Sequence, residues 1–307
     1  MKTNIKNIDI LCVGEVLIDF IGHQSNVQIN QTKDYHRYLG GSPTNVAAYC
    51  SRLGLNTALV ASVGKDGLGE FVMENLQKNN INTQFVRQLK NKSTSVIFVS
   101  RTEGTPDFIP YREADYCIYE SQITKETLLN TKIYHTTCFA LSKDIAQTTI
   151  LTKAKEAYEL GCQLSIDINY SEKIWDSERE VLEVVKEYCQ YNPLVKVSED
   201  DVFRLFNKTL SHQEIFDFFH QMGVETICLT LGSNGVILSQ QGKETIQLPA
   251  VKIEKVEDAT GAGDAFWSGF LTSYIQQQPL QACLKTGLKV AAIKLQNIGG
   301  LPENIQL

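Results

Sequence analysis

Along this chain, short apolar runs alternate with longer stretches in which apolar residues recur every three or four positions. The short runs, rich in Val, Ile and Leu, predict strands at 8–13, 57–63, 94–100, 132–136, 163–168, 194–197, 226–231 and 236–239. The amphipathic stretches predict helices at 43–53, 68–79, 143–160, 178–190, 213–222, 262–275 and 280–296. Strands apolar throughout, interleaved with amphipathic helices, imply a mainly parallel sheet covered on both faces. Some helix ends carry signals of their own. Ser42-Pro43 offers an N-cap followed by Pro in the first turn. Gly54 and Gly161 stand just past two helix ends. Two segments, 14–41 and about 93–118, break the alternation and read as extended chain. They predict a small β lid built from two separate pieces. With no repeat or low-complexity linker, the expectation is a single α/β domain over 1–307 with a discontinuous lid.

Composition narrows the picture. The chain has 307 residues, 43% of them hydrophobic and 21% charged, with 20 Gly and 7 Pro. That is enough to bury a large core, and disorder is excluded. No run reaches the ~20 apolar residues that cross a bilayer. The polar N-terminus and the short run 8–13, which contains Asp9, do not read as a signal peptide. Eight cysteines, at 12, 50, 117, 138, 162, 189, 228 and 283, form no C-x-x-C pair and sit in apolar patterns. They read as buried free thiols in a reducing cytoplasm. Net charge is −6 and no dense Lys/Arg block exists, so neither nucleic acid nor a membrane is expected as a partner. Anions must be met locally, by backbone amides and a few cations.

The strongest local feature is Asp258-Ala259-Thr260-Gly261-Ala262-Gly263-Asp264, which opens the helix predicted at 262–275. Small residues let backbone N–H groups approach a ligand, and a helix N-terminus adds unpaired donors and partial positive charge. Together they suit a phosphoryl group. A carboxylate beside such a site, Asp264, is awkward unless it accepts a proton from an attacking hydroxyl. A plain helix cap is the bland alternative. The loop is neither a G-x-x-x-x-G-K-[S/T] loop nor a dinucleotide fingerprint.

A second glycine pair, Gly40-Gly41, precedes Ser42-Pro43-Thr44-Asn45 and a helix ending Arg52-Leu53-Gly54. The Asn45 amide can donate and accept together, which suits a polyhydroxylated ligand. Upstream, Gly14-Glu15-Val16-Leu17-Ile18-Asp19 puts a carboxylate beyond the first strand, where ligands of parallel sheets bind. Asp19 can accept sugar hydroxyls; a solvated turn acid is its alternative.

Together, G-G-x-x-x-N-x-A-x-x-x-x-R-L-G early and D-x-T-G-A-G-D late resemble the ribokinase-like PfkB sugar kinases, in the right order across nearly the whole chain. The resemblance implies a three-layer α/β/α body with a β lid and ATP-dependent phosphorylation of a sugar hydroxyl, with Mg2+. It casts Asp264 as base, Gly261, Ala262 and Gly263 as anion hole, and Asp19, Gly40, Gly41 and Asn45 as sugar contacts. Thr230-Leu231-Gly232-Ser233-Asn234-Gly235 resembles the nucleotide-binding turn, and Asn297 falls in the segment bordering the adenine pocket. Asp258 and Thr260 fall where relatives often hold a monovalent cation such as K+. A lid-mediated homodimer is implied as well.

Some positions depart from the pattern. Ala259 is a mild change. Where relatives carry an N-x-x-E that organises Mg2+ through water, this chain reads Ser198-Glu199-Asp200-Asp201, leaving Glu199 or Asp201 as the acid. Asp167-Ile168-Asn169-Tyr170-Ser171 resembles a fructokinase D-x-N-x-R, with Asp167 at the substrate and Asn169 and Ser198 toward the nucleotide, but Ser171 replaces the Arg. Pro110-Tyr111-Arg112-Glu113-Ala114-Asp115 resembles a lid stretch of fructokinases and of deoxy-ketogluconate kinases, which implies Arg112 as a contact to a sugar oxygen, carboxylate or phosphate; a solvated lid charge is its alternative. Fructose is the favoured substrate. A 2-keto-3-deoxy or 5-dehydro-2-deoxy sugar acid comes next, then ribose. A non-catalytic sugar sensor would have lost the base or the anion hole, and both are present. A dehydrogenase lacks its fingerprint, and His23, His36, His135, His212 and His220 show no metal-ligand spacing.

Overall fold

The computed structural model describes residues 6–101, 107–302 and 305. The stretch 102–106 of the expected lid, and the outermost residues of the expected 1–307 domain, lie outside them. In chain order the strands are β1 (Ile8–Val13), β2 (Leu17–Ser25), β3 (Tyr35–Gly40), β4 (Thr57–Gly64), β5 (Val86–Leu89), β6 (Val96–Arg101), β7 (Phe108–Tyr111), β8 (Thr131–Thr137), β9 (Gln163–Asp167), β10 (Leu194–Ser198), β11 (Thr226–Thr230), β12 (Val236–Gln240) and β13 (Ile246–Leu248). The helices are α1 (Ser42–Arg52), α2 (Gly67–Lys78), α3 (Lys125–Leu129), α4 (Ala146–Glu159), α5 (Val181–Cys189), α6 (Glu199–Phe206), α7 (His212–Gln221), α8 (Ala262–Ile275) and α9 (Leu280–Leu295).

Nine strands form one sheet in the order β13-β12-β11-β10-β9-β8-β1-β4-β5. All neighbours pair parallel except β11–β12 and β12–β13. Successive side chains of a strand point to opposite faces, and the two cores follow this alternation. Leu11 and Val13 of β1, with Ala58 and Val60 of β4, join a cluster with Ile150, Val184 and Phe219 of α4, α5 and α7. Ile10 and Cys12, with Leu59 and Ala61, join the other cluster, with Val46, Val72, Phe270 and Leu284 of α1, α2, α8 and α9. This is the expected three-layer α/β/α body. Residues 264–273 of α8 are buried without a break, as befits a helix enclosed on all sides. The Trp267 and Phe270 rings stack there with centroids 4.8 Å apart.

A second sheet, β3-β2-β6-β7, takes its strands from the two segments that break the alternation. β2 pairs antiparallel with β3 and parallel with β6, and β6 pairs antiparallel with β7. β3 runs directly into α1.

Four short elements were not expected: β5, β13, α3 and α6. β5, β13 and α3 span too few residues to show a period, and α6 opens on three consecutive acids that hide its helical start. The expected N-cap is corrected: Gly41, at φ 102°, caps α1 without a side-chain bond, and Ser42 is the first helical residue. Its hydroxyl is used elsewhere, as described below. All eight cysteines are free and buried. Among the described residues, no helix is long and apolar enough to cross a membrane.

Candidate active site

The glycine-capped starts of α1 and α8 meet beyond the carboxyl ends of β1, β9 and β10. Gly261 caps α8 in the left-handed region, at φ 73°, and Asp264 lies in the first turn that follows. Asp264 is buried. The Ser42 hydroxyl donates to its Oδ1 at 2.6 Å, and the Asn45 amide donates to its Oδ2 at 2.8 Å. Burial pushes the Asp264 carboxyl above the ordinary range, against the pull of those two donors and of the Lys196 and Lys294 charges. An acid so placed is fixed in orientation and avid for a proton.

Ser42 can serve Asp264 because Glu15 does the capping. The Ser42 backbone N–H donates to Glu15 Oε1 at 2.9 Å, and the Thr44 hydroxyl donates to the Glu15 carbonyl at 2.9 Å. Glu15 is buried, which pushes its carboxyl up to about 8. From β2, half-buried Asp19 faces the same space. No hydrogen bond to its carboxylate occurs among the described residues. Burial, then the nearby Asp264 and Asp258 charges, push Asp19 up to about 7. Gly40 is needed beside it, because a Cβ there would run into the Asp19 carboxylate.

Parallel pairing puts Lys196 of β10 opposite Asp167 of β9. Both are buried, and the Lys196 Nζ reaches both Asp167 oxygens at 2.9 Å. Burial works against the Lys196 charge, but Asp167, Asp201 and Asp264 outweigh it and hold the ammonium firmly protonated. A Cβ on Gly263 would come within 2.9 Å of that Nζ. Glycine at 263 therefore lets a buried cation approach the first turn of α8. One residue past β9, Ile168 donates its backbone N–H to the Lys196 carbonyl, and Asn169 Oδ1 then accepts the Phe139 backbone N–H at 3.0 Å.

Of the two acids weighed for Mg2+, Asp201 is buried on the site side and Glu199 is exposed and paired with His212 at 2.9 Å. Asp201 and Ser198 form the capping box of α6, and Arg204 holds the other Asp201 oxygen. Arg204 also donates to the Tyr170 carbonyl at 2.9 Å. A guanidinium thus stands beside Ser171, the position where the expected arginine is missing. Among the described residues no three His, Cys, Asp or Glu side chains form a metal cage. A Mg2+ ion that keeps its waters and takes phosphate oxygens needs only one or two carboxylates, and Asp201 Oδ1, which among the described residues accepts from Arg204 alone, keeps a lone pair for such a water while Ser198 fills Oδ2.

Next to β10, Thr230 ends β11, opposite Ser198 in the register. Gly232 and Gly235, at φ 55° and 101°, close a tight turn into β12, with Leu231 N–H on the Gly235 carbonyl at 2.8 Å. Asp258 and Thr260 are already engaged. Asp258 Oδ1 takes the Thr260 backbone N–H at 2.9 Å, and Lys294 Nζ lies 3.0 Å from Oδ2. The Asn297 side chain caps α9 by donating to the Ile293 carbonyl, and its own carbonyl accepts from Lys294. Lys294 Nζ already lies on Asp258 Oδ2 and on the Asp258 carbonyl, so a monovalent cation at Asp258 would have to displace that ammonium.

The model of the pfkB family carbohydrate kinases matches residues 7–305. The chain belongs to that family. It is 36% identical over 298 residues to an ATP-dependent 6-phosphofructokinase of Thermoanaerobacterium thermosaccharolyticum, covering 97% of this chain and 91% of that one. The fructokinase structure of Halothermothrix orenii superposes with a TM-score of 0.82 at 34% identity, over 94% of this chain and 100% of that one. A sugar kinase of Pyrococcus horikoshii in complex with ATP gives a TM-score of 0.82 at 26% identity, over 94% and 93%. This carbohydrate kinase is thus a phosphotransferase with an alcohol acceptor, on the ribokinase-like fold.

Three residues of this kinase's site escaped the reading of the sequence: Ser42, Lys196 and Lys294. Lys196 left a signal, a lone cation inside the apolar run Leu194-Val195-Lys196-Val197. Arg112 is drawn inward. Its side chain is 7% exposed, pairs with Asp115 at 2.8 Å, and donates to Ser142 Oγ at 2.6 Å and to the Ile174 carbonyl at 3.3 Å.

Proposed function

We propose that this kinase transfers the γ-phosphoryl group of ATP to the primary hydroxyl of fructose. The observation that carries the reading is Asp264, buried at a helix N-terminus and held by Ser42 and Asn45, with the Asp19 carboxylate, which takes no hydrogen bond among the described residues, nearby. Asp19 accepts sugar hydroxyls and orients the acceptor. Asp264 takes the proton of the attacking hydroxyl. The amides of Gly261, Ala262 and Gly263, with Lys196 behind them, meet the charge that grows on the transferring group. Thr230, Gly232, Gly235, Ser198, Asn169 and Asn297 flank the nucleotide. Mg2+, held through water by Asp201, would neutralise the phosphates. Catalysis is then mostly positioning. Eight unpaired buried thiols support a reducing, cytoplasmic setting.

Resemblance to the fructokinase of Halothermothrix orenii supports fructose. Arg112 supports a neutral sugar over a sugar acid, since a carboxylate clamp would have to break its bonds to Asp115 and Ser142. The relative named 6-phosphofructokinase supports fructose 6-phosphate as a second reading. A coupled ADP-release assay with Mg-ATP tests both, against fructose, fructose 6-phosphate, ribose, 2-keto-3-deoxygluconate and 5-dehydro-2-deoxygluconate. Turnover highest on fructose is expected. A preference for the phosphorylated sugar or for either acid moves the substrate. No turnover with sugar still bound overturns the kinase reading in favour of a sensor.

A further inference from the structure

Lys294 lies in the last turn of α9 and is 1% exposed, one of the largest fully buried side chains among the described residues. A lysine near a helix C-terminus ordinarily reaches for water. This one turns inward. Its ammonium, which has three N–H donors, meets three oxygens: the Asp258 carbonyl at 3.2 Å, Asp258 Oδ2 at 3.0 Å and the Asn297 carbonyl at 3.2 Å. Every donor is spent on the protein. The same Asp258 carboxylate takes the backbone N–H groups of Thr260 at 2.9 Å and Gly299 at 3.2 Å. One buried positive charge therefore ties the loop entering Gly261–Gly263 to the turn that follows α9.

Two carbonyl oxygens and a carboxylate converge on one singly charged cation, and carbonyl oxygens are the groups that replace the water around potassium. An ammonium group matches potassium in charge and closely in size. We propose that the Lys294 ammonium is a built-in monovalent cation, which orders the anion-binding turn in place of a bound alkali ion, so that the protein needs none. This goes beyond the substrate reading and does not depend on it. Lys294 is a positioning residue: it acts on the transferring group through Asp258 and the glycine turn.

The test compares potassium chloride with tetramethylammonium chloride at matched ionic strength, which holds screening constant. The first readout is the melting temperature without substrates, because an ion that binds only the folded chain raises it. The second is the kinase rate. The native chain is expected to melt at the same temperature in both salts and to turn over equally. Lys294→Ala empties the cation position. It should melt lower in tetramethylammonium, with a rate down roughly tenfold or more, and both should recover in potassium. Lys294→Met fills the space without charge and should not recover. A native chain stabilised or activated selectively by potassium overturns the proposal. So does a Lys294→Ala variant that is unimpaired in tetramethylammonium, or one that potassium leaves impaired. If Lys294→Ala folds in neither salt, selective melting of the native chain decides. A native chain that is inactive on fructose and potassium-indifferent in melting, beside a variant whose melting potassium rescues, would overturn the substrate reading and leave this one standing.

Discussion

Asp264→Asn keeps the size and both neighbours of the acid but cannot take the proton. Turnover is expected to fall by about 10²–10⁴ with an unchanged circular dichroism spectrum. Near-native turnover would remove Asp264 as base. Ser42→Ala frees one Asp264 oxygen from its donor. A loss of about tenfold in kcat, near 1.4 kcal/mol, with little change in sugar KM, is the expected signature. Asp19 titrates near 7 because it is buried beside Asp264 and Asp258. Its carboxylate form accepts sugar hydroxyls and the protonated form does so poorly. Affinity for sugar is therefore full above that pH and falls as pH drops through it, seen as a KM that rises about tenfold per unit. A KM flat between pH 5 and 8, on the order of three units around this value, would show that Asp19 does not hold the sugar. At this scale the sequence displayed Asp264, because glycines and a carboxylate stand together in one short stretch. It hid Ser42, whose partner is 222 residues away. No local pattern records a contact made only by two helix ends meeting in space.

The strands and helices tell a similar story. The inner body strands were legible because they are buried on both faces, and β4 is buried at every position, whereas the edge strands β5 and β13, which are only partly covered, were not. Boundaries were less so: α4 starts at Ala146 and α5 at Val181, three residues later than the apolar pattern suggests. The run Ser198-Glu199-Asp200-Asp201 stands where relatives organise Mg2+, and it also starts α6 through a capping box. Asp201 gives one oxygen to Ser198 and the other to Arg204, a division that no local pattern records. Neighbouring strands β9 and β10 also carry the buried Asp167–Lys196 pair. Lys196→Met leaves Asp167 without its partner and is expected to cost about 3–5 kcal/mol of stability. With Lys196 gone, burial raises Asp167 further above its unfolded value. The deficit should then grow as pH rises, and shrink in acid where Asp167 takes up a proton. Urea melts at two pH values check this, and an equal deficit at both would exclude Asp167 as its source.

For the molecule as a whole, the lid sheet carries a row of aromatic side chains on one face: Phe20 and Phe98 stack at 5.1 Å, and Tyr35 and Tyr111 meet Phe98 edge-on. Tyr111 and Ile109 are 59% and 40% exposed. An apolar sheet face of this kind is where the homodimer implied by the family resemblance would pair. Light scattering after size exclusion should give twice the chain mass, and Phe98→Asp should halve it; a native monomer would exclude lid pairing. The lid is also joined to the site through the chain itself. β3 passes through Gly40 and Gly41 straight into Ser42, so the strand beside Asp19 and the hydroxyl that holds Asp264 share one unbroken stretch of chain. The place proposed for the acceptor and the place proposed for the base therefore hang on the same few peptide bonds, and neither can be redesigned without disturbing the other.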